Sequence, residues 1–240
     1  MTHLAVAKEI NDKIGIAQDL SSYFLGAIAP DAVHIREDFN GDMKVSSHYC
    51  VEGDAWGQVA SGDAWSKQAF RHIKSLADGP NRDFYLGYFI HVLADASNHE
   101  KMWLPFLEHR LAEGVPLADV KGLVSEDYDR IDWILYDNYE WQNKVLDLLE
   151  LAKGIDVIDR VKAWEIDEYK DILIKMYRLN IDFMDLINAR NSSMIPRPMP
   201  TLERKLPVYV TVEDMLKFVT ATVDEICRSL NITICKHGYK

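Results

Sequence analysis

The sequence contains few cysteines, and none of them lies in a pairing pattern. Its 240 residues include three, Cys50, Cys227 and Cys235, and no C-x-x-C motif occurs. Secreted folds that depend on disulfides carry many more cysteines at paired spacings. We therefore expect no disulfide framework.

Long apolar runs are also missing. No uninterrupted apolar stretch approaches the roughly 20 residues that a membrane-spanning helix needs. The first ten residues, MTHLAVAKEI, lack the basic segment, the long apolar segment and the cleavage site of a secretory signal. No basic amphipathic helix indicates docking on a membrane surface. We therefore expect a soluble, cytoplasmic protein without stable membrane anchoring.

Positive charge is in deficit. The chain has 27 Lys+Arg against 38 Asp+Glu, which gives a net charge of −11 and a pI near 5.2. Such a surface repels phosphate backbones and argues against binding of duplex nucleic acid. It does not argue against an active site for phosphoesters, because bound cations would reverse the local field.

The patterns that are present are helical. Apolar residues recur at spacings of three and four, and capping residues and prolines delimit about eight helices. The predicted helices span about 3–14, 20–28, 63–77, 83–103 with a kink or a restart at Pro105 that continues to about 114, 116–136, 140–152, 157–187 and 212–230. The sequence therefore predicts one all-α domain over residues 1–240, a multi-helix bundle.

Two stretches lack a regular pattern. Residues 30–62 are rich in Asp, Gly, Ser and His, and at most short helical turns are predicted around 54–59. A stretch of this length with so little structure is uncommon in a compact domain unless it is functional. Residues 188–207 contain four prolines and are expected to form an extended surface connection.

The stretch FYLGYFIHVLADASNHE, residues 84–100, is apolar enough for a buried helix but contains ionisable groups. His91, Asp95 and His99 follow one another at steps of four, so they share one helix face with about 6 Å between Cβ atoms. A buried aspartate is costly unless it is paired or bound to metal. The H-x-x-x-D pair therefore favours a metal site at His91 and Asp95 over a buried hydrogen bond between them.

Further ligands must come from elsewhere in the chain. His3 lies at the start of the first predicted helix, Asp31 follows Pro30 at a helix exit, and His48 lies in the loop sequence KVSSHYC. Considered alone, Asp31 is typical of a turn, and His48 is as typical of an exposed loop histidine as of a ligand. His34, three residues after Asp31, is expected to be exposed.

Three stretches together resemble the zinc-dependent phospholipase C family: LGAIAPDAVH (25–34), KVSSHY (44–49) and FYLGYFIHVLAD (84–95). They are most similar to short bacterial members without a signal peptide. The same ligand layout occurs in the related plant and fungal zinc nucleases that cut single strands. The resemblance covers roughly the first 135 residues.

The resemblance implies a metal-binding residue set and an activity. In the family, a His on the first helix, the Asp of a G-x-x-x-P-D turn, the His of an [ST]-H-[FY] loop and both ligands of an L-G-x-x-x-H-x-x-x-D helix bind zinc. The matching residues in this chain are His3, Asp31, His48, His91 and Asp95. The implied activity is phosphoester hydrolysis with two or three zinc ions and a metal-activated water, which Asp31 orients or deprotonates. Small-molecule or lipid phosphoesters are the implied substrates.

Some family ligands have no clear counterpart here. Secreted members bind metal through the amino group of an initial tryptophan, whereas this chain begins Met-Thr-His. They also carry a distal His and a later H-x-x-x-E. His109 lies about 27 Å from His91 along a continuous helix, so we expect His109 and Glu113 on the surface.

His99, about 12 Å from His91, could bind only a neighbouring ion. Asp127 resembles an acidic position of the short members and is predicted as a further ligand, the alternative being a solvated helix face.

Two other classes of metal-dependent helical protein lack their motifs in this sequence. HD-type phosphohydrolases need a His-Asp dipeptide and di-iron bundles need E-x-x-H pairs, and the sequence contains neither. A helical protein with a structural zinc site and no turnover stays an alternative, since a structural zinc is enclosed by four protein ligands and a catalytic one keeps an open position. Arg36 and Lys44 could contact substrate phosphate but are expected to lie in solvent.

Overall fold

The computed structural model describes residues 1–59, 61–76, 79–190 and 206–235 and, for 73–76 and 231–235, the backbone alone. Within these ranges the chain forms eleven α-helices and no strand. They are α1 (Thr2–Ile14), α2 (Leu20–Gly26), α3 (Gly41–Ser47), α4 (Gly62–Leu76), α5 (Arg82–Asn98), α6 (Leu104–Ala112), α7 (Leu117–Asn138), α8 (Gln142–Leu151), α9 (Ala163–Leu179), α10 (Phe183–Ala189) and α11 (Val212–Cys235). The predicted all-α class is confirmed, although the helices outnumber the eight or so that were expected.

Helix α5 lies at the centre of the fold. From Asp83 to Ser97 every residue except Tyr85 and Asp95 is buried. This helix has no polar stripe, which is the pattern of a helix surrounded by protein. Helices α1, α2 and α4 pack around it, and one hydrophobic core extends from Met1 to Leu230.

Two glycines allow α2 and α5 to approach more closely than side chains would permit. A Cβ atom on Gly26 would lie 1.9 Å from the carbonyl oxygen of Phe84, and one on Gly87 would lie 1.9 Å from that of Tyr23. Backbone atoms cannot yield by the distance that such an overlap requires. The glycine of the L-G-x-x-x-H sequence is therefore a packing requirement that sets the position of α2 against α5.

The stretch predicted to be irregular is more helical than expected. It contains a 3-10 helix, Ala29–Ile35, and α3. The side chain of Asn40 caps α3 by accepting hydrogen bonds from the backbone N–H groups of Asp42 and Met43, at 3.0 and 3.2 Å. Seven-residue helices are too short to display a periodic pattern, so only the cap could have indicated α3. Residues 54–59 form turns and an isolated Ala55–Gln58 bridge rather than a helix.

The single helix predicted over 157–187 is wrong. An isolated bridge joins Val157 to Val161, α9 begins at Ala163, and the helix ends at Asn180, whose φ of 52° is left-handed. Asparagine tolerates this conformation better than most residues and commonly ends a helix. Helix α10 then starts from an Asp182 cap.

Other predictions are met in part. Pro105 lies in the first turn of α6, after a π-helical turn, His99–Trp103, that joins α6 to α5.

No described helix is long and apolar enough to cross a membrane. Cys50 and Cys227 are free and buried, while the side chain of Cys235 and residues 191–205 of the Pro-rich connection lie outside the described part of the chain.

Candidate metal centre

Five predicted ligands converge on one place in the fold. They come from α1, from the 3-10 helix, from the residue after α3 and from α5. These residues form two groups of three, and both groups include His91. Within each group, all three donor atoms lie within 4.8 Å of one another. The members of this cluster, called the His/Asp cluster below, are His3, Asp31, His48, His91 and Asp95.

Ring nitrogens and carboxylate oxygens face one another across the cluster. His48 Nε2 lies 3.2 Å from His91 Nε2, 3.2 Å from Asp95 Oδ2 and 3.4 Å from Asp31 Oδ1. His91 Nε2 lies 3.7 Å from Asp31 Oδ2 and 3.8 Å from Asp95 Oδ2. His3 Nε2 lies 2.8 Å from Asp95 Oδ1, and its ring stacks on that of His91 with 3.7 Å between centroids.

The outer nitrogens of two of these histidines are held by the backbone. His91 Nδ1 donates to the carbonyl of Ala27 at 2.8 Å, and His48 Nδ1 donates to that of Lys44 at 2.9 Å. A ring that donates from Nδ1 presents a lone pair at Nε2 when it is neutral, which is the usual arrangement of a metal-bound histidine. Two such lone pairs repel at 3.2 Å unless one nitrogen is protonated or a cation lies between them.

The local sequence explains why these rings point inward. The contact of Gly26 with α5 brings the neighbouring carbonyl of Ala27 within reach of His91, one turn after Gly87. At the other ring, the indole of Trp65 donates to the carbonyl of His48 at 2.7 Å, and the next residue, Tyr49, turns the chain with a φ of 54°.

The electrostatics leave the carboxylates charged and His91 neutral. Burial, followed by the effect of His3, lowers the pKa of His91 to about 3. Burial opposes ionisation of Asp31 and Asp95, but Lys44 beside the first and His3 beside the second hold both pKa values well below the usual range. Burial acts against the charged form of His48 as well, yet the two aspartates beside its ring raise its pKa. Anionic oxygens and a neutral imidazole are what a cation binds.

The His/Asp cluster has a closed side and an open side. The side chains of His48 and His91 are 0% and 1% exposed, whereas those of Asp31, Asp95 and His3 are 15%, 16% and 28% exposed. Asp31 Oδ1 is buried and accepts no hydrogen bond of regular geometry. The donor set therefore fits a divalent cation, with two histidines as the floor and solvent reaching the carboxylate side.

Two residues expected in solvent or at the surface lie at the edge of this opening. Lys44 Nζ lies 3.0 Å from Asp31 Oδ1, and His34 Nδ1 lies 3.6 Å from the same atom. The signals that could have indicated them are their spacings, since Lys44 precedes His48 by four residues and His34 follows Asp31 by three.

Asp127 is not brought to the cluster. It lies on α7 and is buried, and its carboxylate accepts hydrogen bonds from the backbone N–H groups of Val208, Tyr209 and Val210 and from Arg130. With four donors on its two oxygens, this carboxylate is fully used in fastening the segment before α11 to α7. The sequence could not distinguish this role from ligation, because both roles use a carboxylate on an apolar helix face.

The remaining candidates also lie elsewhere. His99 is buried and its Nε2 bonds to the carbonyl of Val59 at 2.9 Å. His109 and Glu113 are exposed, as predicted, and His109 Nε2 lies 3.5 Å from Glu113 Oε1. Arg36 is not in solvent, because it binds the buried Glu165 through two nitrogens at 2.6 and 2.9 Å.

The amino group of Met1 is engaged outside the cluster. It pairs with the carboxylate of Asp132 and lies 3.0 Å from the hydroxyl oxygen of Tyr177. Thr2 adds two hydrogen bonds to the same carboxylate, from its backbone nitrogen and its hydroxyl. These contacts fix the first turn of α1 and hence the position of His3.

The chain matches no protein-family model, no curated protein and no solved structure. The resemblance to zinc-dependent phospholipases C therefore stays a prediction from three motifs of the sequence.

Proposed function

We propose that this protein is a metal-dependent hydrolase of phosphoesters, of the phospholipase C and phosphodiesterase type. The observation that carries the proposal is the convergence of three imidazoles and two carboxylates from four separate segments, with one side open to solvent. An enclosed structural site would have no such opening.

Zinc is the metal that these donors favour. Nitrogen ligands with hydrogen-bonded outer nitrogens, combined with carboxylates, are typical of zinc in catalytic sites. Asp31, His48, His91 and Asp95 would hold the first ion. His3, which shares Asp95, would support it or contribute to a second ion. The two or three ions of the resemblance stay a prediction, since the described residues provide no second cluster away from this one.

A cation bound here would polarise a water molecule and offset the charge of phosphoryl oxygens. The chain's own groups would position the reactants. Asp31 would orient the attacking water or accept its proton, since its Oδ1 accepts no hydrogen bond of regular geometry. The water oxygen would bond to phosphorus as the bond between phosphorus and the alcohol oxygen breaks. The alcohol would leave with the proton taken from that water.

Elemental analysis and a panel of chromogenic phosphoesters test the proposal. We expect stoichiometric zinc in the purified protein, and hydrolysis of phosphodiesters or phosphomonoesters that chelation abolishes. In His91→Ala and Asp95→Ala, both metal and activity should be lost. Zinc retained at full stoichiometry in both variants would exclude the site. Bound zinc with no turnover of any ester would favour the structural alternative.

A further inference from the structure

One cationic side chain at the His/Asp cluster has no role in holding metal. Lys44 lies on α3, and its ammonium group lies 3.0 Å from Asp31 Oδ1. Its side chain is only 15% exposed, which is little for a lysine. Metal ligands do not include ammonium groups. A lysine this close to a ligand carboxylate competes with the metal for that carboxylate. Its position therefore calls for a role other than holding the metal.

The ammonium group is held in position from a second direction. Lys44 Nζ lies 4.3 Å from the ring centroid of Trp56, which is a cation–π contact. Trp56 in turn packs edge-on against His48, with 4.9 Å between ring centroids. Lysine side chains lose rotamer freedom when they are fixed, so a lysine held between a carboxylate and an indole is pre-positioned.

Lys44 is also the basic group of this opening. In the described part of the chain, no other lysine or arginine has its charged group within 4 Å of Asp31 or Asp95. Arg36, the other basic residue near the loop ligands in sequence, is bound to Glu165.

We propose that the Lys44 ammonium binds a non-bridging oxygen of the substrate phosphate, beside the metal. The inference rests on the proposed function. The two negative charges of Asp31 and Asp95 neutralise one divalent ion. The charge of Lys44 is then left over, and it can attract an anionic substrate. When an ion binds Asp31, the lysine is freed from that carboxylate and reaches the phosphate at the open side.

Binding of inorganic phosphate to the zinc-loaded protein tests this directly, with zinc stoichiometry measured on the same samples. We expect Lys44→Met to keep zinc and to bind phosphate roughly 10- to 100-fold more weakly, the loss expected for a charge-assisted hydrogen bond. Lys44→Arg should recover most of the affinity. The matched control is Lys67→Met, on α4, where an exposed lysine also pairs with an aspartate, Asp63; it should change nothing.

The outcomes separate this inference from the proposed function. Full zinc and unchanged phosphate affinity in Lys44→Met would overturn the role of Lys44 and leave the metal site standing. A wild-type protein that binds no zinc would overturn both. If Lys44 instead helped to hold the metal, Lys44→Met would lose zinc affinity, whereas removal of a competing cation should leave that affinity equal or stronger. A loss of zinc in Lys44→Met would therefore also overturn the inference.

Discussion

Two aspartates on long helices, Asp95 on α5 and Asp127 on α7, have opposite surroundings. Asp127 is matched by three backbone N–H groups and Arg130, donors whose protons are fixed. Asp95 meets the Nε2 atoms of His3 and His48 at 2.8 and 3.2 Å, donors only when those nitrogens carry protons. Fixed donors make a carboxylate a structural anchor, and titratable nitrogens make it suitable for a metal ion.

The largest expected effect comes from the same substitution at both positions. Asp95→Asn should weaken zinc binding by more than about 100-fold, since even loss of an outer contact to a ligand costs 10- to 100-fold. Asp127→Asn should leave zinc affinity within a factor of about two, because its partners lie on another part of the chain. Competition with a chromogenic chelator measures both. Equal losses in the two variants would remove the distinction drawn here.

The packing beneath the His/Asp cluster gives the next effect. Gly87→Ala would place a Cβ 1.9 Å from the carbonyl oxygen of Tyr23, so α2 and α5 must separate. We expect a loss of about 3 kcal/mol in the free energy of unfolding. Zinc binding should weaken roughly 10- to 100-fold as the Ala27 carbonyl moves from His91. Urea titration of the metal-free protein measures the first and chelator competition the second.

The control for this substitution is Gly122→Ala. Gly122 lies within α7, and a Cβ there would meet no atom within 4 Å. Alanine favours the helix by up to about 1 kcal/mol over glycine, so the variant should be slightly more stable and bind zinc normally. If Gly87→Ala behaved in the same way, the close approach of the two helices would not be what positions His91.

The surroundings of Asp95 and Asp127 also show what can be predicted from the sequence and what cannot. The H-x-x-x-D pair was accessible because both residues lie on one apolar helix, where charge is conspicuous. Asp127 has the same signature, and the sequence does not reveal that its donors arrive from residues 208–210, some 80 positions later. Lys44 was expected in solvent because its contact with Trp56 also depends on the tertiary fold, here on how a short helix packs against a loop.

Short elements were the other source of error. The 3-10 helix and α3 were missed because seven residues contain only two turns of pattern, yet Asp31 lies on the first and His48 directly follows the second. The break between α9 and α10 depends on one left-handed asparagine, Asn180. Periodicity therefore located the long helices, and tertiary contacts decided the segments that carry two of the five residues of the His/Asp cluster.

The smallest expected effect is the stability that Asp127 itself provides, and its pH dependence tests the anchor role. Burial opposes ionisation, but the N–H groups of Val208, Tyr209 and Val210 hold the pKa of Asp127 below its usual value. The folded state therefore binds fewer protons than the unfolded state as pH falls below about 4. The stabilisation is complete above that pH and is lost as the pH drops through the folded-state pKa.

We expect Asp127→Asn to lower the free energy of unfolding by about 2 kcal/mol at pH 7, since asparagine keeps one acceptor oxygen and loses the charge. The difference between wild type and variant should shrink steadily as the pH falls below about 4. Urea titrations of the metal-free proteins at several pH values measure it, and the absence of metal removes the contribution of the His/Asp cluster. A difference that stays constant down to pH 3 would mean that the hydrogen-bond geometry, rather than the charge on Asp127, holds residues 208–210 against α7.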